Sequence, residues 1–207
     1  MTDARLPGRN RPATAPSGSF GGISTGAASR GPSRLPADSG NDPTATTMRA
    51  ARRRWTTGVS VVTTVDREGE ASSYRGATVS AFTVLSLEPP LVLIALETGS
   101  RIAHAVPSAG VFAVSVLDRE HEFLSDRFSG YGPQPDGRFT GLAHDIGRSG
   151  CPILADALAW FDCSVDHVLE TGDHLSIVGK VKAVGIGIDT DDPLINYEGA
   201  YRRIEGA

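Results

Sequence analysis

Residues 76–101 read GATVSAFTVLSLEPPLVLIALETGSR. The stretch opens on small and hydroxylated residues, Gly76, Ala77, Thr78, Val79, Ser80 and Ala81, before Phe82. Small side chains let a ligand approach the backbone closely enough for N–H and C=O groups to read a heterocycle. Pro89 and Pro90 then forbid helix and end any strand. Residues 91–96, LVLIAL, are continuously apolar, the pattern of a strand buried on both faces. The stretch closes on Glu97, Thr98, Gly99, Ser100 and Arg101, which sets a hydroxyl and a guanidinium beside a flexible turn, a grip suited to phosphate. Composition alone is equally consistent with a packed strand followed by a solvated turn.

Working outward, residues 59–65 form a β-rich strand, and residues 66–70 a polar hairpin loop carrying Gly69. The returning strand runs into residues 76–82, which the hairpin places at the centre of an antiparallel sheet. Residues 48–55, MRAARRRW, predict a short helix whose consecutive arginines fan around its axis. Downstream, residues 102–109 predict a helix ended by Gly110, and residues 111–117 another buried strand. Residues 119–128 have helical spacing of Phe123, Leu124 and Phe128. Residues 129–137, with three glycines and two prolines, read as a loop, and residues 139–158 as irregular. Residues 159–169 and 174–184 are strands joined at Thr171, Gly172 and Asp173; Leu175, Ile177, Gly179, Val181 and Ala183 share one face of the second. Many short strands, few helices and frequent turns predict a mainly β chain, a closed or nearly closed barrel.

The composition excludes several classes. A net charge of −4 provides no basic field for nucleic acid. The longest apolar run is far too short to span a membrane, and the N-terminus lacks the apolar stretch of a secretory signal. Cys151 and Cys163 have no zinc-type spacing and read as buried thiols in a reducing cytoplasm. No metal site is expected: His167 and His174 across a hairpin lack further ligands. Gly185-Ile186-Gly187-Ile188-Asp189 breaks the dinucleotide fingerprint, and no P-loop occurs. Residues 1–47, rich in Pro, Gly, Ser and Arg, predict a disordered tail, with residues 48–207 as the folded domain and Met48 a possible translation start.

Taken together, residues 57–64 (TGVSVVTT), residues 76–101 and residues 171–174 (TGDH) resemble the flavin reductase-like family. These are FMN- or FAD-binding split-barrel proteins that include the reductase components of two-component monooxygenases. The likeness covers about residues 48–204. It implies a split β-barrel of Greek-key type with a few short helices, and an NAD(P)H:flavin oxidoreductase that supplies reduced flavin to a partner monooxygenase. By the same resemblance Gly76, Ala77, Thr78, Ser80 and Ala81 contact the isoalloxazine. Glu97, Ser100, Arg101, Arg127 and Phe128 hold the rest of the flavin. His174, Leu175, Ser176 and Ile177 position the nicotinamide of NADH or NADPH. No side chain is assigned a covalent step, because the hydride passes between cofactors. A homodimer is implied. A one-component flavoprotein of the same barrel and a non-catalytic flavin-binding protein are the alternatives.

Overall fold

A computed structural model describes residues 43–66, 73–130, 137–187 and 192–204. The expected tail and the tip of the first hairpin lie outside these residues, as does most of the loop after residue 129. The first helix, α1 (Ala45–Arg52), begins three residues earlier than the sequence predicts. Thr44 caps it: its side chain accepts from the Thr47 N–H, and the Thr47 side chain accepts in return from the Thr44 N–H. A chain starting at Met48 would lack this cap.

The strands follow as β1 (Thr57–Gly58), β2 (Ser60–Asp66), β3 (Ser73–Val79), β4 (Phe82–Leu87), β5 (Pro90–Glu97) and β6 (Val111–Val116). Then come β7 (His144–Ile146), β8 (Pro152–Leu154), β9 (Ala159–Thr171), β10 (His174–Ile186), β11 (Ile195–Tyr197) and β12 (Ala200–Arg202). Two further helices are α2 (Arg101–Ala109) and α3 (Glu122–Ser129), the latter preceded by a 3-10 turn at Arg119–His121. The region read as irregular contains the antiparallel pair β7–β8.

Seven strands form one antiparallel sheet in the order β3-β2-β6-β9-β10-β5-β4. The strand carrying Gly76 is therefore at an edge of the sheet, not at its centre. The chain passes from this edge to the opposite one through Ser80 and Ala81 alone, and the Ala95 N–H donates to Ala81 O at 3.0 Å. The ladder stays open between β3 and β4 while the covalent chain closes the ring. This is the split barrel.

The strand buried on both faces is β2 and not residues 91–96. Val62 enters the cluster that contains Val92, Ile94, Phe112 and Ile177, whereas Val61 joins Leu117, Phe128, Leu154 and Leu194 on the other side. Two inward-facing threonines are satisfied by backbone: Thr64 Oγ1 donates to Val111 O at 2.7 Å, and Thr63 Oγ1 to Pro152 O. On β5, only Val92, Ile94 and Leu96 are buried; Leu91, Leu93 and Ala95 are half-buried and face outward. Among the described residues no helix is long and apolar enough to cross a membrane. Cys151 and Cys163 are free and buried, and desolvation pushes the Cys163 thiol up to about 12.

Candidate functional site

The edge position of β3 gives its residues a neighbour on only one side, and α3 and the start of α2 pack beside it. Phe128, at the end of α3, is 1% exposed, and its ring lies against Gly76. A Cβ on Gly76 would fall 2.5 Å from Phe128 Cε1. The space expected to be kept for a ligand at this glycine is filled from within the protein. Phe139 backs the ring, with centroids 5.1 Å apart.

Polar contacts lock the same junction. Thr78 Oγ1 donates to Ser125 O at 2.6 Å. The Tyr201 hydroxyl lies 2.8 Å from Ser125 Oγ and 3.0 Å from Asp126 Oδ1, and burial raises its pKa above the ordinary phenol value. Arg138 Nη1 donates to both Gly76 O (3.0 Å) and Phe128 O (2.8 Å). Sequence reasoning missed Arg138. The chain contains two Arg-Phe pairs, at 127–128 and 138–139, and only the tertiary arrangement shows that the second guanidinium reaches β3. Arg127 instead donates from Nη2 to Thr140 O at 2.6 Å, holding the segment after α3.

These elements enclose a groove of about 750 Å³ lined by Tyr74 to Thr78, Ser100 to Ile102, Phe128, Ser129, Gly137 and Arg138. The groove brings together Gly76, Ala77, Thr78, Ser100, Arg101 and Phe128 of the residues singled out from sequence. Ser100 is the N-cap of α2: its hydroxyl donates to Glu97 O at 2.7 Å and accepts from the Ala103 N–H at 3.3 Å. Arg101 is exposed at the first position of the helix, and Arg75 pairs with the buried carboxylate of Asp66. Three arginines, Arg75, Arg101 and Arg138, therefore line one groove. Its polar wall and cationic rim fit an elongated phosphate ester.

Ser80 and Ala81 line a separate cleft of about 470 Å³ with Trp55, Gly58, Phe82, Leu93 and Ala95. Glu97 is exposed at the end of β5, opposite His174 in the β5–β10 register. The hairpin tip is anchored there: both the N–H and the hydroxyl of Thr98 donate to Asp173 O, at 3.0 and 3.1 Å. His174 Nδ1 lies 2.7 Å from Asp173 Oδ1, and this contact holds the Asp173 carboxyl below its usual range. Strand alternation puts His174 and Ser176 on the outer face, with Ser176 Oγ 2.8 Å from Thr171 Oγ1. Leu175 packs against the core and Ile177 is wholly buried within it, so neither side chain lies on the face that carries His174.

Comparison with known proteins gives one consistent picture. A family model described as "Flavin reductase like domain" matches residues 52–205. A "Probable flavin reductase" of Rhizobium meliloti (strain 1021) is 42% identical over 142 residues, 69% of this chain but only 43% of that protein's length. An "NADH-dependent flavin reductase" of Rhodococcus sp is 35% identical over 158 residues, covering 76% of this chain and 85% of the relative. Among solved structures, a nitrilotriacetate monooxygenase component B homolog from Mycobacterium thermoresistibile superposes with a TM-score of 0.70 at 34% identity, covering 77% of this chain and 86% of that one.

Proposed function

This chain belongs to the flavin reductase-like family, and on that premise we propose that it is an NAD(P)H:flavin oxidoreductase supplying reduced flavin to a partner monooxygenase. The observation that carries the reading is the groove in which the backbone of β3 meets the guanidiniums of Arg101 and Arg138. When bound, the flavin supplies the redox chemistry by accepting hydride from the nicotinamide. The chain's own part is to bind and orient.

Arg101 holds the flavin phosphate at the start of α2, where the N–H groups of the helix's first turn also favour an anion. Arg138 fixes the wall by holding Gly76 O and Phe128 O, and its guanidinium borders the same phosphate. Ser80 and Ala81, in the two-residue link between the edge strands, present backbone groups to the isoalloxazine. His174, fixed at the hairpin tip by Asp173 and the Thr98 turn, positions the nicotinamide end of the donor.

NADH is the proposed donor, in keeping with the name of the Rhodococcus relative, and FMN or FAD the acceptor. The monooxygenase partner follows the name of the Mycobacterium thermoresistibile structure. We also propose a homodimer. Support comes from Trp55 and Leu87, 74% and 82% exposed, with Val84 and Leu85 of β4 about half exposed. The free buried thiols suit the cytoplasm.

The deciding experiment measures NADH and NADPH oxidation with FMN, FAD and riboflavin in turn. Turnover with excess free flavin supports the reductase. Flavin binding without turnover overturns it in favour of a binding protein.

A further inference from the structure

Away from the groove, a second depression opens on the outer surface of the barrel, between the β7–β8 turn and the strands β9 and β10. It encloses about 510 Å³, within the range of roughly 300–1,000 Å³ usual for small-molecule sites. Trp160 forms its floor. The indole lies over the backbone of β10 at Gly185, where a Cβ would stand 2.5 Å from Trp160 Cε2. Ile146 and Val184 flank the indole, yet are 54% and 59% exposed, leaving an apolar slot open to solvent.

Two cations border this slot, and the backbone turn that carries one of them is anchored. Arg148 sits in a tight turn whose next residue, Ser149, donates both its N–H (3.0 Å) and its hydroxyl to the fully buried carboxylate of Asp162. On the other side of Arg148, the Gly147 N–H donates to Cys151 O at 2.9 Å, and Gly147 O accepts from the Gly150 N–H at 3.0 Å. A buried carboxylate thus anchors the turn that carries the guanidinium. Lys182 projects from β10 on the opposite wall, and Asp145 completes the lining. Among the described residues none of these three charged side chains forms an ion pair. The lining therefore carries a net charge of about +1.

We infer that this depression binds a planar organic monoanion, an aromatic carboxylate, as a second site distinct from the groove. The ring lies over Trp160 between Ile146 and Val184, where it covers apolar surface that is otherwise wet. The carboxylate meets Arg148, whose planar fork matches two oxygens, with Lys182 as a second donor. Preorganisation of the turn by Asp162 lowers the ordering cost of binding. Asp145 disfavours dianions and leaves room for a ligand hydroxyl or amine donor.

The test uses the full chain loaded with FMN and titrated calorimetrically with benzoate, 2-naphthoate and neutral benzamide. The acids are expected to saturate at one per chain, with benzamide about tenfold weaker or worse. Arg148→Ala and Lys182→Met, both at exposed positions, are each expected to weaken benzoate about tenfold while leaving FMN affinity unchanged. In a Trp55→Phe background, Trp160 is the sole tryptophan, and its emission should change with the same saturation curve. Absence of saturable binding by either acid overturns the proposal, as does equal affinity for benzamide. Wild-type affinity in both variants, or displacement of the acid by excess flavin, would place any binding elsewhere and equally sink it.

Discussion

The Phe128 ring occupies the volume that a side chain on residue 76 would need, so β3 and α3 meet at van der Waals contact across a missing Cβ. Gly76→Ala is expected to destabilise the fold by about 1–3 kcal/mol, because the buried ring must move. Phe128→Leu should relieve part of that cost in the double variant. A double-mutant cycle by urea unfolding should return a coupling of at least about 0.5 kcal/mol; strict additivity would show that the contact carries no energy.

Arg101 and Arg138 border one groove but differ in their attachments. If Arg101 holds the phosphate as proposed, Arg101→Ala should lower FMN affinity roughly ten- to a hundredfold while riboflavin, which lacks the phosphate, is barely affected. Equal losses for the two ligands would reject the phosphate role.

Arg138→Ala also releases two backbone carbonyls, Gly76 O and Phe128 O. It should weaken riboflavin as well as FMN and lower the melting temperature. Arg138→Lys keeps the charge but loses the planar fork, and is expected to recover FMN affinity only in part. A riboflavin affinity untouched by both changes would show that the wall does not depend on this side chain.

His174→Ala should raise the KM for NADH or slow flavin reduction with little change in flavin affinity. Stopped-flow reduction of the flavin-loaded variant separates this from a merely exposed histidine, whose loss would leave the kinetics unchanged across the NADH range.

The Cys163 thiol ionises near 9.0 when solvated and is pushed up to about 12 in the fold by desolvation, with the Asp162 charge second. A raised folded value means full stability below pH 9 and progressive loss above it, by about 1.4 kcal/mol per pH unit up to about 12. Urea midpoints measured from pH 8 to 10.5 should therefore fall more steeply in the native sequence than in Cys163→Ala. Parallel slopes would mean that the thiol ionises alike in both states.

Most of the strand order along the chain was legible in the sequence, because period-two alternation and turn residues are local signals. So was the helix ended by Gly110, which begins just after Ser100. The cap at Thr44 lies within one helical turn and is a local signal, but the better helix formers after Met48 mask it. What only the tertiary structure decided is pairing at long range. The edge position of β3, the two-sided burial of β2 and the one-sided burial of β5 depend on which strands meet, and alternation within a strand says nothing of its partners. Gly76 reads the same whether a ligand or a phenyl ring fills its missing Cβ. Arg127 and Arg138 have the same dipeptide context, yet one grips a loop carbonyl and the other the groove wall. Ile177 alternates as a strand residue should, and it took the closed core to show which face it joins. Residue type and spacing limit what chemistry a chain can do; the distances at which side chains from remote segments meet arise only when hydrophobic burial brings those segments together.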